Sequence, residues 1–145
     1  MTVTKFTEEI EMNLAFRMFV IKNRIVGSLL PVRVAESATN LFLTPRQYPL
    51  KNWEEEKEQQ GERISLGNGL SAIKWGNSNQ QVLLVHGWES RATQMAGFID
   101  AIVDAGFQVV ALDGPAHGHS AGHQANPLMF AKAVVQVNDE IGPLT

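Results

Sequence analysis

The residue types that can carry out chemistry are concentrated in one glycine-rich loop, which runs from residue 113 to residue 126. This loop contains His117, His119 and His123 together with Ser120. Imidazole is the commonest zinc ligand, and a serine hydroxyl becomes a nucleophile when a base lies beside it. The loop therefore offers two different chemistries, metal binding and nucleophilic catalysis.

Metal binding is the weaker of the two interpretations. His117 and His119 are two positions apart, so their side chains lie on the same side only where the segment is extended. A catalytic zinc also needs three protein ligands and a supporting outer shell. We keep a metal site formed by His117, His119 and His123 as an alternative, which elemental analysis and His119→Ala would test. Otherwise we expect no cofactor.

Two buried strands must position these residues. Residues 82–85 are all apolar and predict a strand buried on both faces, since a half-exposed strand alternates apolar and polar residues. A second such strand is predicted over residues 107–112, directly before Asp113. The pattern of residues 93–105 between them predicts a helix, with Gly106 as its C-terminal cap. Strand, helix and strand in this order form the unit that builds parallel sheets.

The ends of the two strands carry a family resemblance. The motifs are Leu84-Val85-His86-Gly87-Trp88 and Leu112-Asp113-Gly114-Pro115-Ala116-His117-Gly118-His119-Ser120. In this order and context they resemble the N-terminal half of an α/β-hydrolase of the serine-hydrolase superfamily, over roughly residues 62–145. The resemblance implies an α/β fold in which an antiparallel hairpin is followed by parallel strands with crossover helices.

The same resemblance assigns a site to the turn after the first motif. The backbone N–H of Trp88 would point at the oxyanion that develops during acyl transfer, while Gly87, Trp88 and Glu89 would line the substrate pocket. Removing one oxyanion donor costs ~3 kcal/mol of transition-state stabilisation in other enzymes. The implied reaction is hydrolysis of an ester- or amide-type acyl bond in a small molecule by a serine nucleophile, through an acyl-enzyme.

Ser120 lies in a Gly-x-Ser-x-Gly pattern over residues 118–122, but its flanks do not suit a nucleophile elbow. An elbow stands between a strand and a helix, and the catalytic acid and histidine follow it in the chain. Here loop residues flank the pattern, and no histidine follows Asp139 and Glu140. We interpret Ser120 as a loop serine with local hydrogen bonds and keep it as a minor candidate nucleophile. The nucleophile is expected beyond Thr145, which would leave this chain alone inactive.

Three neighbouring residues have structural interpretations. His86 follows a buried strand and is predicted to be a core residue whose ring nitrogens have partners. Asp113 is predicted to accept backbone N–H groups in the turn after its strand. Arg91 either orders the loop around Glu89 or is solvated.

The N-terminal part of the chain is predicted to be helical. Apolar residues at positions 10, 14, 18, 21, 25 and 29 predict an amphipathic helix that ends at Pro31, followed by a short helix over residues 34–43. Basic residues interrupt the apolar run and acidic residues precede it, so we expect neither an integral membrane span nor a signal peptide. The apolar stripe would dock on its own domain or on a second subunit, or else lie on a membrane surface; we favour the first two.

The polar stretch 46–60 separates this region from the rest of the chain. Its acidic and basic run at residues 54–58 is typical of a solvated face or linker. We place a helical extension at residues 1–45 and the hydrolase-like domain at residues 46–145. In that domain we predict a hairpin over residues 62–66 and 70–75, and a helix over residues 127–141.

Composition argues against several function classes. The 145 residues are 44% hydrophobic, which is enough for a core. A net charge of −3 lacks the basic surface that nucleic acids require. The chain has no cysteine, so disulfides and thiolate chemistry are excluded, and we expect a cytoplasmic location.

A non-catalytic fragment or interaction module is a further alternative. In the hydrolase sheet the strand at residues 82–85 lies between the fourth and fifth strands, and the fifth would begin near Leu144. An unpaired apolar edge recruits strands from other chains. We therefore expect a homo-oligomer formed through this edge or through the N-terminal helix.

Overall fold

The structure, a computed structural model, describes residues 14–144. The chain divides into two compact units, one ending at Leu41 and the other beginning at Phe42. The first contains helix α1 (Leu14–Leu29) and most of helix α2 (Pro31–Leu43). Both predicted helices are present, and α2 begins at the proline itself, where a fixed φ suits the first turn. The predicted helix positions before residue 14 lie outside the described residues.

The apolar stripe predicted for the first helix is exposed along α1. Its described members are Leu14, Met18, Ile21, Ile25 and Leu29. No helix within residues 14–144 is long and apolar enough to cross a bilayer. The surface on which this stripe packs stays a prediction.

The second unit is built on a mixed four-stranded sheet with the order β1-β2-β4-β3. Strands β1 (Glu62–Ser65) and β2 (Ser71–Trp75) form the predicted antiparallel hairpin. Strand β2 also pairs antiparallel with β4 (Gln108–Asp113), and β4 pairs parallel with β3 (Gln81–Val85). The predicted α/β architecture, a hairpin followed by parallel strands, is confirmed.

Helices cover the two faces of this sheet. A short 3₁₀ turn, Ala92–Met95, leads into α4 (Ala96–Asp104), and α5 (Pro127–Ile141) follows β4. Helix α5 begins where the Asn126 side chain accepts a hydrogen bond from the Met129 N–H at 2.9 Å, since an N-cap side chain satisfies a free donor of the first turn. Both helices were predicted from sequence.

Strand β4 is the centre of the core because its side chains alternate between the two faces. Val110 and Leu112 pack with residues of α5, while Val109 and Ala111 pack with residues of α4. All four are fully buried. The continuous apolar run of β4 was therefore correctly interpreted as a strand covered on both sides.

Strand β3 was predicted to be equally buried, and this is wrong. Its residues are half-buried, and Val85 is 37% exposed. Within residues 14–144, β3 is the edge of the sheet and pairs fully only with β4. On its other side Gln81 forms an isolated parallel bridge with Leu144, which is where the next strand was predicted to begin.

The stretch predicted as a solvated linker contains a helix, α3 (Asn52–Gln59), and two of its charged residues are buried. Glu54 accepts hydrogen bonds from the Lys51 N–H at 3.1 Å and from Thr93 Oγ1 at 3.0 Å. Lys57 pairs with Asp100. Buried charges need such partners, and a charge run alone does not reveal them. The prediction of a solvated face is therefore wrong at these positions.

Candidate functional site

The candidate site lies where the parallel strands β3 and β4 end. Val85 and Leu112 are register partners, so the segments that follow them emerge at the same edge of the sheet. In open α/β sheets, ligands bind at the carboxyl ends of the strands. The site consists of the β3–α4 loop, residues 86–91, and the β4–α5 loop, residues 114–126.

His86 is buried at the start of the β3–α4 loop, and both of its ring nitrogens have partners. Nε2 accepts a hydrogen bond from the Gly114 N–H at 2.9 Å, and Nδ1 lies 2.7 Å from the carbonyl oxygen of Gly87. Since the first contact requires an acceptor and the second a donor, the proton is on Nδ1. Burial lowers the pKa of His86, and the hydrogen bond to Gly87 opposes this effect.

His117 has the same arrangement in the β4–α5 loop. It is buried, its Nδ1 lies 2.8 Å from the carbonyl oxygen of Pro115, and its Nε2 accepts the Glu89 N–H at 3.1 Å. The proton is again on Nδ1. The rings of His86 and His117 are 5.1 Å apart between centroids. Each histidine therefore links one loop to the other.

Aromatic rings enclose the two histidines. Phe130 meets them edge-on, with centroids 5.7 Å from His86 and 5.3 Å from His117. Trp88 meets His117 edge-on at 5.2 Å. A Cβ atom at Gly114 would lie 2.3 Å from the Phe130 ring, so only glycine allows this approach.

The predicted substrate-binding residues Gly87, Trp88 and Glu89 form a single turn at this point. The Trp88 side chain is 46% exposed. Its backbone N–H has no hydrogen-bond acceptor within the part of the chain that the structure describes. Glu89 has a φ of +55°, which is uncommon for a residue with a side chain. Their roles in binding and catalysis stay predictions.

The Glu89 carboxylate is bound by Arg46, a residue that the sequence did not identify as part of the site. Arg46 Nε and Nη2 lie 2.9 and 3.0 Å from its two oxygens, and the Arg46 backbone N–H donates to it at 3.2 Å. The hydrogen bonds from Arg46 lower the pKa of Glu89, and the same contact raises the pKa of Arg46. The carboxylate is therefore an ion-pair partner, which leaves the backbone of Glu89 to shape the turn.

Other residues before the sheet also contact the site. The Phe42 ring stacks on the Trp88 indole, with centroids 6.4 Å apart and an interplanar angle of 15°. The Gln47 side chain donates a hydrogen bond to the Ala116 carbonyl at 3.1 Å. Arg91 donates to the Tyr48 carbonyl, so it orders the loop rather than being solvated. No motif in residues 42–48 indicated this placement.

Asp113 joins the site to the sheet through a buried carboxylate. Its Oδ1 accepts the Ala92 N–H at 2.8 Å, and its Oδ2 accepts Arg63 Nη1 at 2.9 Å and the His119 N–H at 3.1 Å. The predicted bonding of Asp113 to turn N–H groups is present. The ion pair with Arg63 of β1 was not foreseen.

Ser120 is buried and makes hydrogen bonds only to backbone groups. Its hydroxyl donates to the Asp113 carbonyl at 2.5 Å and accepts the Ser71 N–H at 2.9 Å. It makes no hydrogen bond to an imidazole among residues 14–144, and both ring nitrogens of His117 have other partners. The arrangement gives this hydroxyl no base for activation.

The three loop histidines are not brought together. His117 is buried, whereas His119 and His123 are at the surface. Within the described residues, no group of three histidine, cysteine, aspartate or glutamate side chains could hold a metal ion. In the described structure, these three histidines therefore do not form a metal site.

Comparisons of the sequence with known proteins agree with this geometry. Residues 76–141, which include β3, β4 and both site loops, match the family described as serine aminopeptidase, S33. The chain is also 32% identical over 85 residues to the esterase Rv0045c of Mycobacterium tuberculosis. That alignment covers 57% of this chain and 27% of the esterase, so the chain spans about a quarter of this curated relative.

One solved structure shows the same fold. One structure of the Pyrococcus furiosus esterase Pf2001 superposes with a TM-score of 0.51 at 20% identity, covering 68% of this chain and 41% of that one. An epoxide hydrolase from an endophytic Streptomyces has a TM-score of 0.49 at 23% identity and covers 57% of this chain and 26% of its own.

Proposed function

Because the chain belongs to the α/β-hydrolase superfamily, we propose that it contributes the oxyanion-binding turn of an enzyme that hydrolyses ester- or amide-type acyl bonds. One observation carries this proposal. The Trp88 N–H lies at the carboxyl end of β3, and none of the described residues accepts a hydrogen bond from it. Backbone donors with a fixed orientation stabilise a developing oxyanion without reorganising during the reaction.

The remaining catalytic groups are proposed to lie in sequence that follows Thr145. Leu144 already pairs in parallel with Gln81, so a strand that continues from it would run beside β3. A nucleophilic serine at the carboxyl end of such a strand would stand next to Trp88. In α/β-hydrolases the second oxyanion donor follows the nucleophile, and the acid and histidine come later in the chain.

An apolar acyl or alkyl group is the substrate feature that this turn favours. The exposed Trp88 indole and the Phe42 ring stacked on it form an aromatic surface beside the proposed donor. Aromatic side chains bind apolar groups through their large contact area. The ionised carboxylate of Glu89 does not contribute to binding this apolar group, because it forms an ion pair with Arg46.

Esterase activity on a short-chain p-nitrophenyl ester tests the proposal. We compare this chain, the chain continued past Thr145, and Ser120→Ala in both. Activity is expected only in the continued chain, and Ser120→Ala is expected to retain it, because Ser120 has no base beside it.

Labelling with a fluorophosphonate, followed by mass-spectrometric mapping, is a second measurement that does not depend on how well the alanine variant folds. The labelled serine is expected beyond Thr145. Label on Ser120, or activity of the 145-residue chain that disappears with Ser120→Ala, would contradict the proposal.

A further inference from the structure

We propose that His86 and His117 are positioning residues that together fix the direction of the Trp88 N–H. This inference rests on the proposed function, because it concerns the same oxyanion donor. It goes beyond that function because it assigns a role to two buried histidines that are not among the predicted substrate-binding residues, Gly87, Trp88 and Glu89. Two peptide units flank the Trp88 Cα atom, and each histidine contacts one of them.

The first peptide unit joins Gly87 to Trp88. A trans peptide is planar, so its carbonyl oxygen and its N–H point in opposite directions. His86 Nδ1 holds the Gly87 carbonyl oxygen at 2.7 Å. The Trp88 N–H is therefore directed away from the His86 ring. A rotation of this peptide would turn the N–H and break the hydrogen bond to His86 at the same time.

The second peptide unit joins Trp88 to Glu89. Its N–H donates to His117 Nε2 at 3.1 Å. With both peptide planes held, the two soft backbone dihedrals of Trp88 are also held, since each residue has only these two. The pair of histidines thus fixes the backbone on both sides of the proposed donor.

The other nitrogen of each ring supplies the anchor. His86 Nε2 accepts the Gly114 N–H at 2.9 Å, and His117 Nδ1 donates to the Pro115 carbonyl at 2.8 Å. Both contacts are with the segment directly after β4, which is the most buried strand of the sheet. The two histidines thereby tie the turn to the core, in addition to the hydrogen bond within the loop from the Ser90 N–H to the Gly87 carbonyl at 3.3 Å.

The turn needs this support because Glu89 has a backbone conformation that residues with a Cβ atom disfavour. Its φ of +55° lies in the left-handed region. The backbone N–H to His117 and the carboxylate to Arg46 hold Glu89 from two sides. Strained backbone of this kind persists only where surrounding contacts determine it.

Nuclear magnetic resonance tests the geometry without any catalytic reaction. Scalar couplings across hydrogen bonds are expected between the Glu89 amide nitrogen and His117 Nε2, and between the Gly114 amide nitrogen and His86 Nε2. Imidazole nitrogen shifts should show the proton on Nδ1 in both rings. Absence of both couplings in the folded protein would overturn the proposal.

Kinetics in the chain continued past Thr145 test the consequence for catalysis. His117→Phe keeps a ring in the aromatic cluster but removes the acceptor, whereas His117→Gln can present an oxygen near the position of Nε2. We expect His117→Phe to lower kcat about 10²-fold with little change in KM, since misplacing a catalytic group affects mainly the chemical step. His117→Gln should restore most of this loss. The matched control is His123→Phe at a surface position, which should keep wild-type kcat.

The outcomes separate this inference from the proposed function. A folded His117→Phe with wild-type kcat would overturn the inference, and so would a His117→Gln variant that is folded but no better than His117→Phe. If His117→Phe does not fold, His117→Gln and the couplings decide. Couplings in a protein without esterase activity would overturn the proposed function while supporting the fixed direction of the Trp88 N–H.

Discussion

Replacement of Asp113 by asparagine tests whether one buried carboxylate holds the site loops to the sheet. Three donors converge on it: the Ala92 N–H at 2.8 Å, Arg63 Nη1 at 2.9 Å and the His119 N–H at 3.1 Å. Ala92 follows the β3–α4 loop, His119 lies in the β4–α5 loop, and Arg63 belongs to β1. The Asp113 side chain is 2% exposed, so water cannot replace a lost partner.

The magnitude follows from the number of acceptors. An asparagine side chain has one oxygen and one NH₂ group, so in either orientation the NH₂ group faces a donor. The orientation that loses least keeps the oxygen at the Oδ2 position. There the hydrogen bond from the Ala92 N–H, worth about 1.5–3 kcal/mol as a bond to a charged group, becomes a contact between two donors, while the bonds from Arg63 and His119 remain but lose the carboxylate charge. Arg63 keeps its ion pair with Glu58 at 2.7 Å and is partly exposed, which limits its share. We expect the free energy of unfolding of Asp113→Asn to fall by about 3 kcal/mol.

Urea unfolding followed by circular dichroism measures this difference. Asp139→Asn, an exposed aspartate of α5, is the matched control and should change stability by less than about 0.5 kcal/mol. Amide hydrogen exchange at Ala92 should also become faster in Asp113→Asn, because its acceptor is lost. A loss below about 1 kcal/mol with an unchanged urea dependence would refute the reasoning.

Two further predictions concern glycines and pH. Gly118→Ala should lower the melting temperature, because its Cβ would lie 2.2 Å from Asp113 Oδ1 and its φ is +53°. Gly97→Ala in α4, where an added Cβ would have no neighbour within 4 Å, should instead stabilise the protein by about 0.5–1 kcal/mol. Equal thermal shifts in the two variants would contradict both predictions. Stability should fall as pH drops below 6.5, because burial lowers the pKa of His86 in the folded state and the unfolded chain then binds the proton first. The contribution of neutral His86 to the free energy of unfolding is complete above pH 6.5 and disappears as pH falls to the folded-state pKa. Urea unfolding across this window should show a smaller decrease in the free energy of unfolding for His86→Phe than for wild type. The charged or titratable groups around His86 are His117, Asp113 and Arg91.

Local patterns were sufficient to predict most of the sheet and its helices. The apolar run of β4 is buried on both faces because helices cover both, as a continuous apolar strand predicts. Helix α5 begins at Pro127 and ends before Gly142. Proline favours the first helical position because its φ is fixed, and glycine favours the position after the helix. Signals of this kind depend on neighbours in sequence, so sequence alone reveals them.

The missed features depend on contacts between distant residues. Arg46 and Glu89 are 43 positions apart, and nothing in either segment indicates the other. The charged neighbours of Glu54 predict a solvated residue, yet it is buried beside Thr93 of another segment. Likewise, the placement of Glu89 against His117 depends on two strands ending together, which requires the sheet register.

The site divides into a part that holds the donor and a part that surrounds it. His86 and His117 connect the Trp88 turn to the end of β4 within residues 76–141, the segment that matches the family. Phe42 and Arg46 reach the same turn from a segment that precedes the whole sheet and lies outside that match. In the proposed reaction, the direction of the Trp88 N–H is therefore set by the fold itself, whereas the aromatic surface beside it depends on a separate stretch of chain. Changes at Phe42 can alter which acyl group is accepted without altering the hydrogen bonds that orient the donor, whereas Arg46 also holds Glu89 in the turn.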